Sequence, residues 1–512
     1  MGKSFFTAPS FCRYAADLHY FYIFVTNCDM IKHISPQGQV KEEITLSEKK
    51  VAKKEGLNFN PYLVLLVIVV LCTIASYFVA PGAYDREKVN GLNVVIANSY
   101  HSVPRTTVSF LEMYRSIPKG LEGAGTMMFV VMIIGGVVEV YNRTGAIGAG
   151  IKSILKLSSR ISSQLILAVV MGVFCVIGGI LGWSEQIIPF VPIIISLSLA
   201  LGYDSLVGMA ISGFACLVTF AVGPFNVYTV GTADVIAKLP MFSGWELRLL
   251  LFFIISGLSM FWVLRYAAMI KKDPSKSLMK DIDQSDLRIA IPDDVQMDGK
   301  KSLSLIIMAI CFAFTIFGLL TYKWSFNEMG AIFLMGATAV GIINRMSATE
   351  MTDAMVQGAK DAFPGALIIG LARSIQVVMA DGGLVDPLVH GLSVLMGGAS
   401  TYMSAVGMFI ANMFINALIP SGSGQAMAVM PIMIPLADML HLTRQTAVLA
   451  FQFGDGISNT FWFTNGTLLI YCGLGKVPLR IWYKFIVPLQ VIFFLTQLVF
   501  LYFAVSMNYG PF

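Results

Sequence analysis

Charge is what this sequence has least of. Only 13% of its 512 residues are Asp, Glu, Lys or Arg, while 56% are hydrophobic; soluble domains carry roughly 25% charge. That balance excludes a soluble enzyme, a disordered chain and a nucleic-acid reader. Close cysteine pairs are missing too. The seven cysteines stand at 12, 28, 72, 175, 216, 311 and 472, so neither a disulfide framework nor a zinc knuckle is indicated. The sequence has no Walker motif, no metal-ligand cluster and no nucleophile elbow, which argues against ATP-driven pumping and against an intramembrane enzyme. No organic cofactor or resident metal is expected. The net charge of +5 is small, and matches the basic cytoplasmic loops of a multi-pass protein of the bacterial inner membrane.

What remains is long apolar sequence. Windows at 61–80, 124–141, 205–222, 248–264, 303–321, 329–344, 365–380, 444–457 and 485–506 predict nine crossings, each needing about 20 apolar residues. Two further stretches, 164–201 and 402–438, are interrupted by the polar clusters 182–186 (Gly-Trp-Ser-Glu-Gln) and 420–425 (Pro-Ser-Gly-Ser-Gly-Gln). A helix, a polar glycine tip and a second short helix reads as a re-entrant hairpin, since irregular backbone at membrane depth survives only in protein or against a wet cavity. Two ordinary spans joined by a short loop are the alternative. With 1–55 as a cytoplasmic tail, the loops holding Arg143, Lys152, Lys156, Arg160, Lys271, Lys272, Arg345, Lys476 and Arg480 all fall on the cytoplasmic side, and 381–400, which has no Lys or Arg, falls outside. That pattern obeys the positive-inside rule. The loop 81–122 also falls outside and weighs little, being long and of mixed charge.

The chain also matches itself. At an offset of 239 residues Ser184 meets Ser423, Gln186 meets Gln425, Pro192 meets Pro431 and Asn226 meets Asn465. At 238, Gly120 meets Gly358 and Gly145 meets Gly383. With one hairpin entering from each side, 56–268 and 303–512 are expected to be inverted repeats joined by a cytoplasmic connector, 269–302. The expected fold is thus an all-α polytopic membrane protein with two inverted repeats, two re-entrant hairpins and two interrupted helices, an architecture of many secondary transporters.

Each hairpin is followed by a helix that breaks, at 223–229 and at 458–467. Unwound backbone exposes carbonyls to cations, and half-helix N-termini offer N–H groups to anions. Candidate substrate- or ion-binding residues are therefore Ser184, Glu185 and Gln186 at the first tip, and Asn226 and Thr229 at the first break. Ser421, Ser423 and Gln425 are their counterparts at the second tip, with Ser458, Asn459, Thr460 and Asn465 at the second break. For Ser458-Asn459-Thr460 taken alone, helix–helix hydrogen bonding is the plainer reading. Charges well inside apolar windows are few: Glu139, Glu185, Arg373 and Asp455. Such groups are costly and are functional by default, which adds Arg373 and Asp455 to the candidates; a structural ion pair, such as Arg373 with Glu139, is the competing account. His390 and His441 read as ordinary interfacial loop residues.

At the paired tips and at Ser458-Asn459-Thr460 the chain resembles the YfcC-type branch of the anaerobic four-carbon-dicarboxylate carrier family, within the ion transporter superfamily. The resemblance covers about 60–510. It implies either a dicarboxylate carrier or a basic amino acid antiporter, an elevator motion, a homodimer in the bilayer, and a small-molecule substrate held between two tips and two breaks. Those roles fall on 184–186, 223–229, 421–425 and 458–467; the first break lacks a Ser-Asn-Thr triplet, which bears on coupling to sodium or protons. An interior of three acids and one arginine suits an amino acid with a cationic side chain, such as arginine or ornithine, better than a dicarboxylate. A channel is the competing class, expected to have one pore-lining motif per chain.

Overall fold

The computed structural model describes residues 61–510 apart from 90–91, 97–98, 289–294, 323 and 396–399. The expected tail, 1–55, and part of the expected connector lie outside the described residues. Among the described residues regular structure is helical save for a short antiparallel ribbon, β1 (Arg86–Val89) paired with β2 (Leu92–Val95). The helices of the first half are α1 (Pro61–Phe78), α2 (Phe110–Gly123), α3 (Gly125–Arg143), α4 (Ala146–Leu157), α5 (Ser163–Leu181), α6 (Val191–Ala200), α7 (Ser205–Phe220), α8 (Val227–Ala237) and α9 (Trp245–Lys272). Those of the second are α10 (Gly299–Tyr322), α11 (Phe326–Ile343), α12 (Ala348–Asp381), α13 (Val385–Leu395), α14 (Thr401–Leu418), α15 (Gly422–Met439), α16 (Arg444–Ser458), α17 (Gly466–Leu474) and α18 (Leu479–Ser506).

Among the described residues eight helices are long and apolar enough to cross a membrane. The set differs from the nine windows: it includes α5 and α14, the first arms of the two expected hairpins, and omits α1 and the two interrupted helices. Outward faces are apolar. Leu63, Val67, Leu71 and Phe78 of α1, Phe253 and Phe261 of α9, and Val491, Leu495 and Val499 of α18 are exposed. Side chains of this kind in continuous stripes suit lipid and not water. The protein is an all-α polytopic membrane protein.

At the centre lie the helices that break. Every residue of α7 is buried, and so is every residue of α16 from Gln445 to Ser458. A helix buried all round has protein on all sides. The two cross at Gly456, where an added Cβ would sit 2.2 Å from the Cα of Ala221, so the crossing has no room for a side chain. Element order repeats: α5, a tip, α6, α7, a break and α8 are matched by α14, a tip, α15, α16, a break and α17.

Two elements extend beyond their apolar windows. α12 runs 34 residues, where hydropathy marks only 365–380, because the polar stretch 348–363 is started by a capping box, Ser347 with Glu350. α2 lies inside what reads as the loop 81–122 and has its own box, Ser109 with Glu112. Such boxes satisfy otherwise unpaired N–H groups at a helix start. Glu139 pairs with Arg143 at 3.0 Å and accepts from Asn142, so the ion pair with Arg373 weighed above is not formed. His390 is not a loop residue; it belongs to α13 and its ring stacks on Tyr100, with centroids 3.8 Å apart.

Candidate substrate site

Each tip is made by a local conflict between apolar helix and polar sequence. α5 stops at Gly182, whose φ of 66° is left-handed, a conformation open to glycine and costly for other residues. The chain then turns through Ser184 into a short tight helical turn, Glu185–Phe190. Ser184 Oγ donates to Glu185 Oε2 at 3.0 Å, and Gln186 Oε1 accepts from the Ser184 amide at 3.1 Å. At the second tip Ser421 caps α15, accepting from the Gly424 amide at 3.3 Å.

The breaks are held open by two asparagines. Asn226 Oδ1 accepts from the amides of Tyr228 and Thr229, while its Nδ2 donates to the Phe220 carbonyl at the end of α7. Asn465 caps α17 by accepting from the Leu468 amide, and its Nδ2 donates to Asn459 Oδ1 at 2.8 Å. Both satisfy the unpaired groups that any interrupted helix exposes.

Tips and breaks meet at one cavity of about 340 Å3, within the range of small-molecule sites. The first tip contributes Ser184, Glu185 and Gln186, and the second contributes Ser421, Gly422 and Ser423. Asn459, Asn465 and Thr467 reach it from the second break, Phe220 and Tyr228 from the first. α12 supplies Arg373 and Gln376. Arg373 donates to Gln376 Oε1 and makes no ion pair among the described residues. The first turns of α15 and α17 also border the cavity, so their positive dipole ends lie beside Arg373. Glu185 puts a carboxyl group on the same cavity.

The remaining candidates sit elsewhere. Asn226, Thr229, Gln425, Asp455, Ser458 and Thr460 are fully buried and do not line the cavity. Ser458 donates to the Gly454 carbonyl and accepts from Asn416; Thr460 donates to Gln490 Oε1 on α18. Those two side chains thus bond to helices around them, and of the triplet Asn459 lines the cavity. Asn226 is likewise spent on the backbone of its own break. Among lining residues, Tyr228, Gln376 and Thr467 were not singled out from sequence, although Tyr228 lies within the first break and Thr467 at the edge of the second. Arg248 went unseen too. It is fully buried, donating to Gln452 Oε1 at 2.9 Å and to the Ser243 carbonyl, yet it stands at the start of its apolar window, where a basic residue looks interfacial.

Apolar helices enclosing a polar cavity at paired helix interruptions are the arrangement of a membrane transporter. Comparison with known proteins narrows this. Residues 60–506 match the model of the C4-dicarboxylate anaerobic carrier family, and the chain belongs to that family. It is 28% identical over 378 residues to an Escherichia coli (strain K12) protein described as "Putative basic amino acid antiporter YfcC", covering 70% of this chain and 73% of the relative. It is 27% identical over 403 residues to an uncharacterized protein of Haemophilus influenzae, covering 77% and 78%. Among solved structures, the YdaH transporter of Alcanivorax borkumensis is similar at 13% identity and a TM-score of 0.41, over 88% of this chain and all of that one. MtrF of Neisseria gonorrhoeae, of a class of antimetabolite efflux pumps, is similar at 15% identity and a TM-score of 0.43, over 88% and 96%.

Proposed function

We propose that the protein is a secondary-active carrier of the bacterial inner membrane that exchanges basic amino acids, such as arginine for ornithine, by an elevator motion of inverted repeats in a homodimer. The observation that carries the substrate reading is the presence of Arg373 and Glu185 on the same small cavity. An α-carboxylate suits Arg373 and the adjoining starts of α15 and α17, and a side-chain cation suits Glu185. Asp455 does not line that cavity, so in this reading Glu185 alone of the two acids meets the substrate. The relative described as a basic amino acid antiporter points the same way.

A second reading, a four-carbon dicarboxylate carrier, is favoured by the family's description and by the cluster of donors: one guanidinium and two helix starts are an ample anion site. Proteoliposomes decide between them. Radiolabelled arginine should enter ornithine-loaded vesicles faster than empty ones and saturate, with excess succinate without effect. Saturable succinate uptake, indifferent to arginine, would replace the first reading with the second.

A further inference from the structure

Away from the substrate cavity, a groove of about 860 Å3 opens between α1, the second break and the start of α18. Its walls are apolar: Val64 of α1, Phe463 of the break, and Tyr483, Val487 and Pro488 of α18. Arg480 and Lys484 are its charged lining residues, and no acid borders it among the described residues. Both cations are exposed, and neither forms an ion pair among the described residues. The walls are anchored to different neighbours. The Tyr62 hydroxyl ties α1 to the Pro364 carbonyl of α12 at 3.0 Å, whereas Trp482 Nε1 ties α18 to the Thr460 carbonyl of the second break at 2.9 Å.

Position along α18 puts these groups in order. Arg480 and Lys484 are four residues apart and Val487 and Pro488 follow on the next turn, so cations and apolar residues share one stripe of the helix. α18 has 28 residues and is about 42 Å long, which matches a bilayer with its headgroup layers, about 40–45 Å. Its first turn therefore stands at headgroup depth. From Arg480 to Pro488 the helix rises about 12 Å, most of the half-thickness of the hydrocarbon core, about 15 Å.

Two cations at headgroup depth, over an apolar groove about one leaflet long, complement an amphiphile with an anionic head. Snorkelling accounts for basic side chains at a helix end, but not for the concave apolar surface beneath them. A zwitterionic head would bring a cation of its own to two that no acid offsets.

We propose that this groove binds one anionic phospholipid, its phosphate held by Arg480 and Lys484 and an acyl chain lying along Tyr483, Val487 and Pro488 between α1 and α18. Arg480 offers the phosphate a planar fork and Lys484 a point charge. The Tyr483 hydroxyl donates to the Phe461 carbonyl at 2.9 Å, in the same break that brings Asn459 and Asn465 to the substrate cavity. A lipid seated on Tyr483 and Phe463 thus steadies that break from the membrane side. The site does not depend on which substrate is carried.

The test uses the full chain purified in detergent and stripped of lipid. Tm and native mass spectra are recorded with dioleoyl phosphatidylglycerol, dioleoyl phosphatidylcholine or glycerol 3-phosphate. Phosphatidylglycerol should raise Tm with concentration, as a ligand of the native state does, and leave one lipid bound per chain in the spectra. Phosphatidylcholine should need about tenfold more, and glycerol phosphate, a head without chains, should have no effect. The double variant Arg480→Gln, Lys484→Gln should bind phosphatidylglycerol about tenfold more weakly, with its lipid-free Tm in place. Val487→Trp, which fills the groove and keeps both cations, should weaken binding of both lipids. Arg265→Gln, at an exposed basic residue of α9 outside the groove, should change neither. Equal affinity for the two lipids, or a preference that survives the double variant and Val487→Trp, overturns the site. Stabilisation by glycerol phosphate equal to that by phosphatidylglycerol overturns the groove and leaves a surface anion site. A lipid-free double variant that turns from dimer to monomer makes the groove a contact between copies and overturns the proposal.

Discussion

At the scale of single residues the cavity depends on Arg373. Its guanidinium is held on the protein side by Gln376 alone among the described residues, leaving other N–H groups for a ligand. A guanidinium offers a planar fork to a carboxylate, while an ammonium is a point charge. Charge-assisted hydrogen bonds are worth about 1.5–3 kcal/mol. Arg373→Lys keeps the charge and loses the fork, so uptake efficiency should fall about ten- to hundredfold in vesicle assays, with Tm unchanged. Wild-type uptake in this variant would mean that Arg373 contributes only a diffuse field.

At the scale of elements the half-helices depend on their caps. Asn226 stabilises both sides of the first break through three hydrogen bonds. Losing a cap costs about 0.5–2 kcal/mol, and leaving the Phe220 carbonyl bare about 1–3 kcal/mol more. Asn226→Ala should therefore lower Tm by several degrees as well as impair transport, where a residue acting only as a ligand would spare Tm. Thermal melting of the purified variant separates the two. The elements also show what could be read in advance. Tips and breaks were legible because Ser, Asn, Gln, Gly and Pro interrupt apolar runs. α2 and the first half of α12 were not, since hydropathy sees apolar runs and these segments are amphipathic, although the capping pairs Ser109–Glu112 and Ser347–Glu350 stood in the sequence. Asn416 was hidden for another reason: one amide inside an apolar arm has no pattern, and only the packing of α14 on α16 brings it to Ser458 and Asp455.

At the scale of the whole molecule, the repeated order of arm, tip, break and half-helix carries a topological expectation. If the halves are inverted, the tips enter from opposite faces. Single cysteines at Ser184 and Ser423, in a chain cleared of its other cysteines, should then be labelled by a membrane-impermeant reagent from opposite sides of oriented vesicles. Labelling of both from one face in every condition would leave a repeat without inversion. Which of the candidates would share a cavity was beyond the sequence, because burial decides it: Asn459 and Thr460 are neighbours in the triplet, yet one faces the cavity and the other α18.

The two halves are also stitched at a point no local rule foresees. The hydroxyl of Tyr471, on α17, donates to the carbonyl of Ser184 at the first tip, and α7 meets α16 backbone to backbone at Ala221 and Gly456. The first tip and the end of α7 are therefore shaped in part by residues of the second half. Grafting the 182–186 segment from a distant relative alone would leave Tyr471 addressing a foreign backbone, whereas grafting it together with 444–474 transfers lock and keeper as a pair. A change at either contact must therefore be answered from the other half of the chain.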